Sequence, residues 1–238
     1  TTFQTPNYIL DSLAIPTFRL TGQDIRYVTE FFSISTDIWP YYRLKSFSLN
    51  STYTYDLLNV KYIVSNQTLD YQGWRLFKEL GNGYVYENSN VLPKAFIVGN
   101  VANVSPKDSL EMVSEPFNPR EMAYAADGKS MRGTQPYAEP DITLYSPHII
   151  NIHATLTEPG YLVLTEPWYK FWQARIDGRP ANVYRTNHMF MGVYVPAGEH
   201  DITFEYRNSL FQFGLFISLW TLAGILIVIV YILLFRNK

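Results

Sequence analysis

Asp141 to Tyr206 reads DITLYSPHIINIHATLTEPGYLVLTEPWYKFWQARIDGRPANVYRTNHMFMGVYVPAGEHDITFEY, and its period decides the fold. In HIINIHATL, Ile150, Ile152, Ala154 and Leu156 fall on one face of an extended chain, and Asn151, His153 and Thr155 on the other. GYLVLTE follows a Pro159-Gly160 turn. WQARID and PANVYR meet at Asp177-Gly178, a hairpin dipeptide that tolerates positive φ. MFMGVYVP and HDITFEY are joined through Ala197-Gly198, with Ile202, Phe204 and Tyr206 facing inward and Asp201, Thr203 and Glu205 facing water. Short strands at regular spacing predict an antiparallel β-sandwich.

Composition agrees with a sheet-rich chain. Of 238 residues, 47% are hydrophobic and 17% charged, with 19 tyrosines, 15 phenylalanines and 5 tryptophans. The net charge of −2 gives no basic excess to displace counterions from phosphate, so nucleic acid is not an expected partner. With no cysteine, disulfides, thiolate metal sites and cysteine nucleophiles are excluded.

Beyond the sandwich, Leu210 to Phe235 contains no charged residue. A hydrocarbon core of about 30 Å needs roughly 20 apolar residues in helix, and this run exceeds that length. Only Gln212, Ser218 and Thr221 are polar, so the expectation is a transmembrane helix and not a buried core helix. Gly214 and Gly224 do not form a GxxxG face. Arg236 and Lys238 follow the helix, while Arg207 alone is basic just before it; this bias places the tail in the cytoplasm and residues 1–209 outside. Without those two residues the balance is 17 basic against 21 acidic, or −4. The strand ending at Tyr206 runs almost directly into the helix, so the sandwich is expected on the bilayer surface. TTFQTPNYIL at the start has neither a basic n-region nor an apolar h-region. Export of the domain therefore points to a cleaved signal or, as the favoured reading, to upstream transmembrane helices of the same polypeptide.

The N-terminal half is mixed. Phe31, Phe32, Trp39, Tyr41 and Tyr42 make the first 55 residues aromatic-rich, without a readable period. Leu57 to Ser65 reads as a buried strand with a short helical approach. Gly73 to Asn88 reads as strand, Gly81-Asn82-Gly83 turn and strand, and Ala95 to Val101 as one further strand. Ser105-Pro106 predicts a helix start with serine as N-cap. Phe117 to Gly133 is punctuated by proline and glycine and is expected to end in a linker up to Pro140. Sequons stand at Asn50, Asn66 and Asn103 and suit an exported chain. The expected organisation is thus mainly β: a mixed α/β extracytoplasmic region at 1–133, a β-sandwich at 134–209, a transmembrane helix at 210–235 and a cytoplasmic tail at 236–238.

LLNVKYIV (57–64), GNGYVYENSNVLPKAFIV (81–98), the YSP at 145–147, EPGYLVLTEPWYKFWQARIDGR (158–179) and GVYVPAGEHDITFEY (192–206), closed by a membrane helix, resemble the C-terminal part of the YfhO family of bacterial and archaeal membrane proteins. The resemblance runs from about Asp56 to the end. Where that family usually has glycine before the tryptophan at 172, this chain has Phe171. The resemblance implies a polytopic protein of the GT-C superfamily, in which a helix bundle holds a polyprenyl-phosphate sugar and an acidic extracytoplasmic loop carries the chemistry. Members resembling this one are implicated in adding sugar to cell-envelope polymers. No catalytic residue can be carried over to this chain, and no cofactor is implied within it.

Glycosyl transfer needs a carboxylate to take the acceptor's proton. Glu166, at a strand end beside Trp168, is the best placed of Glu139, Asp141, Glu166 and Asp177; Asp177 is better explained by its turn, and Glu166 also reads as a solvated strand terminus. His148, His153, His188 and His200 lack metal-ligand spacing, so no metal is expected. No GxSxG, P-loop or GxGxxG is present. The run Trp168-Tyr169-Lys170-Phe171-Trp172 offers aromatic faces of the kind that stack on sugar rings, and Tyr184, Arg185 and His188 lie on the neighbouring hairpin. The competing reading packs Trp172 and Tyr169 into the core and sets Trp168 at the lipid headgroups. Candidate substrate-binding residues are therefore Trp168, Tyr169, Trp172, Glu166, Tyr184, Arg185 and His188.

The expected partners are the lipid bilayer, the upstream helices and a polyprenyl-linked sugar or envelope glycan. The expected role is that of the accessory domain of a lipid-linked-sugar-dependent glycosyltransferase. The alternative is a membrane-anchored carbohydrate-binding or envelope-interaction module without enzymatic activity. The tryptophan-tryptophan-aspartate signature of oligosaccharyltransferase catalytic subunits does not occur.

Overall fold

The structure, a computed structural model, describes residues 36–38, 44–47, 52–65, 67–81 and 83–235. Phe31, Phe32, Trp39, Tyr41, Tyr42, the sequons at Asn50 and Asn66, and the basic tail residues Arg236 and Lys238 lie outside these. The chain is mainly β. Residues 1–205 group as one compact unit and residues 206–238 as another.

Five strands form the first large sheet, in the order β10 (Asp141–Tyr145), β11 (Ile149–Leu156), β17 (Gly198–Tyr206), β13 (Trp172–Ile176) and β14 (Arg179–Ala181). β11 and β17 are antiparallel over eight register pairs, among them Ile150 opposite Phe204 and Ile152 opposite Ile202. These four side chains are buried, as the alternation in β11 and β17 requires. The β13–β14 hairpin turns at Asp177 (φ 50°) and Gly178 (φ 77°), the left-handed pair expected of Asp-Gly.

The second large sheet has seven strands, in the order β6 (Ala95–Val98), β12 (Gly160–Leu164), β16 (Phe190–Val195), β15 (Tyr184–Thr186), β8 (Met122–Ala126), β7 (Asn100–Val104) and β9 (Met131–Arg132). Strands from both sides of residue 133 thus share it. Ala95, Ile97, Leu162, Leu164, Met191 and Val193 pack with Ile152, Ala154, Ile202 and Phe204 of the five-stranded sheet, giving the sandwich core. The alternate residues, Phe96, Val98, Tyr161, Val163 and Phe190, pack on the opposite face against Val113 and Leu57. Burial on both faces is why GYLVL and AFIV read as unbroken apolar runs.

β6 and β7 stand near opposite ends of the sheet order, yet Gly99 alone separates them in the chain. Adjacent Cα atoms are about 3.8 Å apart, so the sheet must curl until its two ends nearly meet. Ala95 to Val101 is accordingly two strands, not one. At the corner a Cβ on residue 99 would fall 2.5 Å from the Gln135 carbonyl oxygen, which fixes glycine there. The stretch expected as a linker runs along this corner: Gly133 N–H donates to the Gly99 carbonyl at 3.0 Å, and Ile97 and Ala138 exchange both backbone bonds at 2.8 and 3.2 Å.

β7 and β8 are parallel, so the sheet is mixed. Their connection carries a short helix, Ser109–Ser114, and an earlier helix spans Thr52–Leu57; among the described residues we label them α2 and α1. α2 begins later than the Ser105 cap implies. Ser105 closes the preceding turn instead, its Oγ donating to Asp108 Oδ2 at 2.7 Å and accepting the Asp108 N–H at 3.2 Å. Val113 and Leu57, both 0% exposed, plug the inside of the curl from α2 and α1.

β3 (Tyr62–Ser65), β5 (Gly83–Asn88) and β4 (Trp74–Leu80) form a small antiparallel sheet in that order, over a core of Tyr55, Val60, Ile63, Trp74 and Tyr86. β1 (Thr36–Ile38) and β2 (Leu44–Phe47) pair antiparallel.

In the second unit, α3 (Ser209–Phe235) is the one helix among the described residues long and apolar enough to cross a membrane. Phe213–Val230 has a mean hydropathy of 2.5, and none of it is buried. Ser218 and Thr221 donate to the Gly214 and Ile217 carbonyls at 2.9 Å, so both hydroxyls are satisfied within the helix.

Candidate functional site

A groove of about 290 Å³ opens between the loop that follows β12 and the β13–β14 hairpin. Two backbone bonds hold the loop: Trp168 N–H to the Met189 carbonyl at 2.6 Å, and Trp172 N–H to the Tyr169 carbonyl at 3.0 Å. Its floor is the register pair Ala174 and Ala181, whose short side chains leave the space open. Trp168, Tyr169 and Trp172 supply half-buried aromatic walls; both indoles also lean on the sandwich core. Pro180 and Val183 add apolar lining, and Lys170, Gln173, Arg175 and Asn182 contribute exposed polar side chains.

The two cations are held by contacts that leave their charge uncompensated. Arg175 Nη1 donates to the Gly178 carbonyl at 3.0 Å, and Lys170 Nζ lies 5.2 Å from the centre of the Phe171 ring. The groove lining contains no carboxylate, in a chain whose net charge is −2. Chemically the site can stack a flat apolar face, donate hydrogen bonds and attract negative charge.

Of the residues expected at the site, Trp168, Tyr169 and Trp172 come together here. Glu166 does not line the groove. It is 8% exposed, pairs with Lys94 Nζ at 3.1 Å and accepts the Tyr145 hydroxyl. Lys94 leads into β6 and Tyr145 ends β10, so this carboxylate ties one large sheet to the other. Desolvation, followed by the bond to Glu166, raises the Tyr145 phenol well above its ordinary range.

Tyr184, Arg185 and His188 lie elsewhere. Tyr184 stacks edge-on against Tyr194 at 5.3 Å. Arg185 is buried and donates to the Pro106 carbonyl at 3.0 Å; the His188 ring, 2% exposed, meets Ser109 Oγ at 2.9 Å. The two side chains therefore fasten β15 and the tight turn after it to α2 and to the turn that leads into it. Periodicity within the hairpin could not reveal this, because the partners are some 80 residues upstream. Arg175 and Asn182 were missed, although the Asp177-Gly178 turn pairs Arg175 with Pro180 and so brings both sides of the groove together.

Asp177, His153 and His200 serve the five-stranded sheet. Asp177 Oδ2 meets His200 Nδ1 at 2.7 Å and its Oδ1 accepts the Asp201 N–H at 2.9 Å; the His200 bond chiefly holds this carboxyl below its usual range. His153 Nδ1 meets Asp201 at 2.9 Å, which raises its pKa, with Glu199 at 3.3 Å. His148 is exposed. Glu139 accepts the Tyr137 hydroxyl at 2.9 Å, and Asp141 stands opposite His153 in register. Among the described residues, no group of three or more His, Asp or Glu side chains is arranged to hold a metal ion.

Residues 135–218 match the family described as bacterial membrane protein YfhO. The match takes in β10 to β17, both walls of the groove and the start of α3. No curated protein and no solved structure matches the chain.

Proposed function

We propose that this chain, whose residues 135–218 belong to the YfhO family of bacterial membrane proteins, is the extracytoplasmic accessory domain and a membrane helix of a glycosyltransferase. The enzyme would draw sugar from a polyprenyl phosphate and add it to a cell-envelope glycan. In this reading residues 1–209 lie outside the membrane, the tail is cytoplasmic, and the domain works beside other transmembrane helices of the same polypeptide. The transfer chemistry belongs to groups other than the described residues. The observation that carries the reading is that one family segment holds both an aromatic, polar groove and the start of a helix of membrane-spanning length.

The absence of a carboxylate from the groove lining favours binding over transfer at this site. It supports a second reading, an anchored carbohydrate-binding module without transferase activity. Disrupting the gene separates the two. The transferase reading expects sugar to vanish from an envelope polymer while the polyprenyl-linked sugar accumulates, with both restored by the wild-type gene. Unchanged polymer glycosylation would overturn that reading and leave the binding module.

A further inference from the structure

We infer that the groove between Trp168–Trp172 and the β13–β14 hairpin takes a saccharide ring that carries an anionic substituent. This inference rests on the carbohydrate reading above and narrows it. A volume of about 290 Å³ is at the lower end of small-molecule pockets and suits a ring or two in place of a long folded ligand. A pyranose has one face of C–H groups, which stacks on an indole, and an edge of hydroxyls, which seeks donors and acceptors. The groove presents both kinds of surface: aromatic walls from Trp168, Tyr169 and Trp172, and the amides of Gln173 and Asn182 at the rim.

Charge sets the class of ring. Lys170 and Arg175 both line the groove and are exposed, and among the described residues neither pairs with a carboxylate. A neutral glycan would leave both cations without a counter-charge. A carboxylate or phosphate on the ring would meet the Arg175 guanidinium, whose planar fork matches either group. Carboxylate and phosphate share this chemistry, so the two sources are distinguished by experiment.

The test uses the full chain in detergent micelles and ligand-observed NMR with glucuronate, glucose 6-phosphate, glucose and inorganic phosphate as probes. The expected result is binding of glucuronate, glucose 6-phosphate or both about tenfold more tightly than glucose, the factor of one charge-assisted hydrogen bond. Whichever acidic sugar binds names the source of the charge. Arg175→Gln and Lys170→Gln alter exposed side chains and should erase the advantage of the acidic sugars over glucose. Trp172→Ala should weaken all three sugars, and Tyr169→Ala serves as the second variant if the loss of Trp172 disturbs folding. Equal affinity for glucose and the acidic sugars would overturn the inference and leave the carbohydrate reading standing. Inorganic phosphate binding as tightly as glucose 6-phosphate would overturn it by removing the ring from recognition. Binding of none of the sugars would overturn both.

Discussion

Gly192→Ala is expected to lower the stability of the extramembrane unit by about 3 kcal/mol, at the upper end of overpacking costs. A Cβ at 192 would lie 2.5 Å from Thr186 Oγ1 and 2.5 Å from both Cε1 and Oη of Tyr161. None of these atoms has room to move. Tyr161 and Thr186 are each 0% exposed, and their hydroxyls hydrogen-bond to one another at 2.7 Å. Tyr161 also packs edge-on against Tyr194 at 4.7 Å. In a unit of this size, the loss should lower Tm by about 6–12 °C, measured by circular dichroism of the detergent-solubilised chain. Adding Tyr161→Leu to Gly192→Ala should recover part of the loss, because it removes the ring that occupies the space. A wild-type Tm for Gly192→Ala would mean that Tyr161 does not lie across β16, and that the inside of the curled sheet is packed differently.

Asp56→Asn is expected to act in the opposite direction, and only above mildly acidic pH. Asp56 lies in the last turn of α1, is 8% exposed, and its Oδ1 accepts from Asn88 Nδ2 at 2.7 Å. Burial raises its pKa from the ordinary 3.8 to about 6; the Asn88 bond and the charge of Arg120 offset only part of that effect. The folded state therefore holds this proton more tightly than the unfolded state. The resulting stabilisation is fully present below pH 3.8 and is lost as pH rises to about 6. Above that, ionisation of this one carboxyl costs the fold about 3 kcal/mol relative to its protonated form. Asparagine keeps the acceptor for Asn88 but carries no charge. The variant should match wild type near pH 4 and exceed its stability at pH 7, so the difference between their melting curves should grow across this window. A constant difference from pH 4 to pH 7 would show that Asp56 ionises freely in the folded protein.

Neither residue stands out in the sequence. Asp56 is a single acid in TYTYDLLNV, and its burial depends on Asn88 and Leu92 in another part of the chain. Gly192 reads as one more strand glycine until Tyr161 is placed over it. What the sequence did disclose is local. The alternation of β11 and the Asp177-Gly178 hairpin are set by neighbouring residues, and both are found in the structure. The curled sheet is different. Met122–Ala126 reads MAYAA, too short and too uniformly apolar to show a period, yet it lies between β15 and β7 and is almost wholly buried. Its parallel partner β7 is reached through α2, and such pairings at a distance leave no periodic trace. The same limit applies at the candidate site. The aromatic loop is a contiguous run and could be read directly, whereas Arg175 and Asn182 join it only through the hairpin. Arg185 and His188 are drawn away by contacts to Pro106 and Ser109.

We propose that the groove is where this domain holds an envelope glycan for a transferase. The most direct measurement is sugar incorporation into the envelope polymer in cells lacking the gene, complemented with wild type or with Trp172→Ala/Arg175→Gln, at matched membrane levels of the protein. Wild type is expected to restore incorporation and the doubly substituted chain little of it, with circular dichroism of the purified chain checking that it is folded. Full incorporation with the doubly substituted chain would contradict the account, leaving the groove without a part in the transfer.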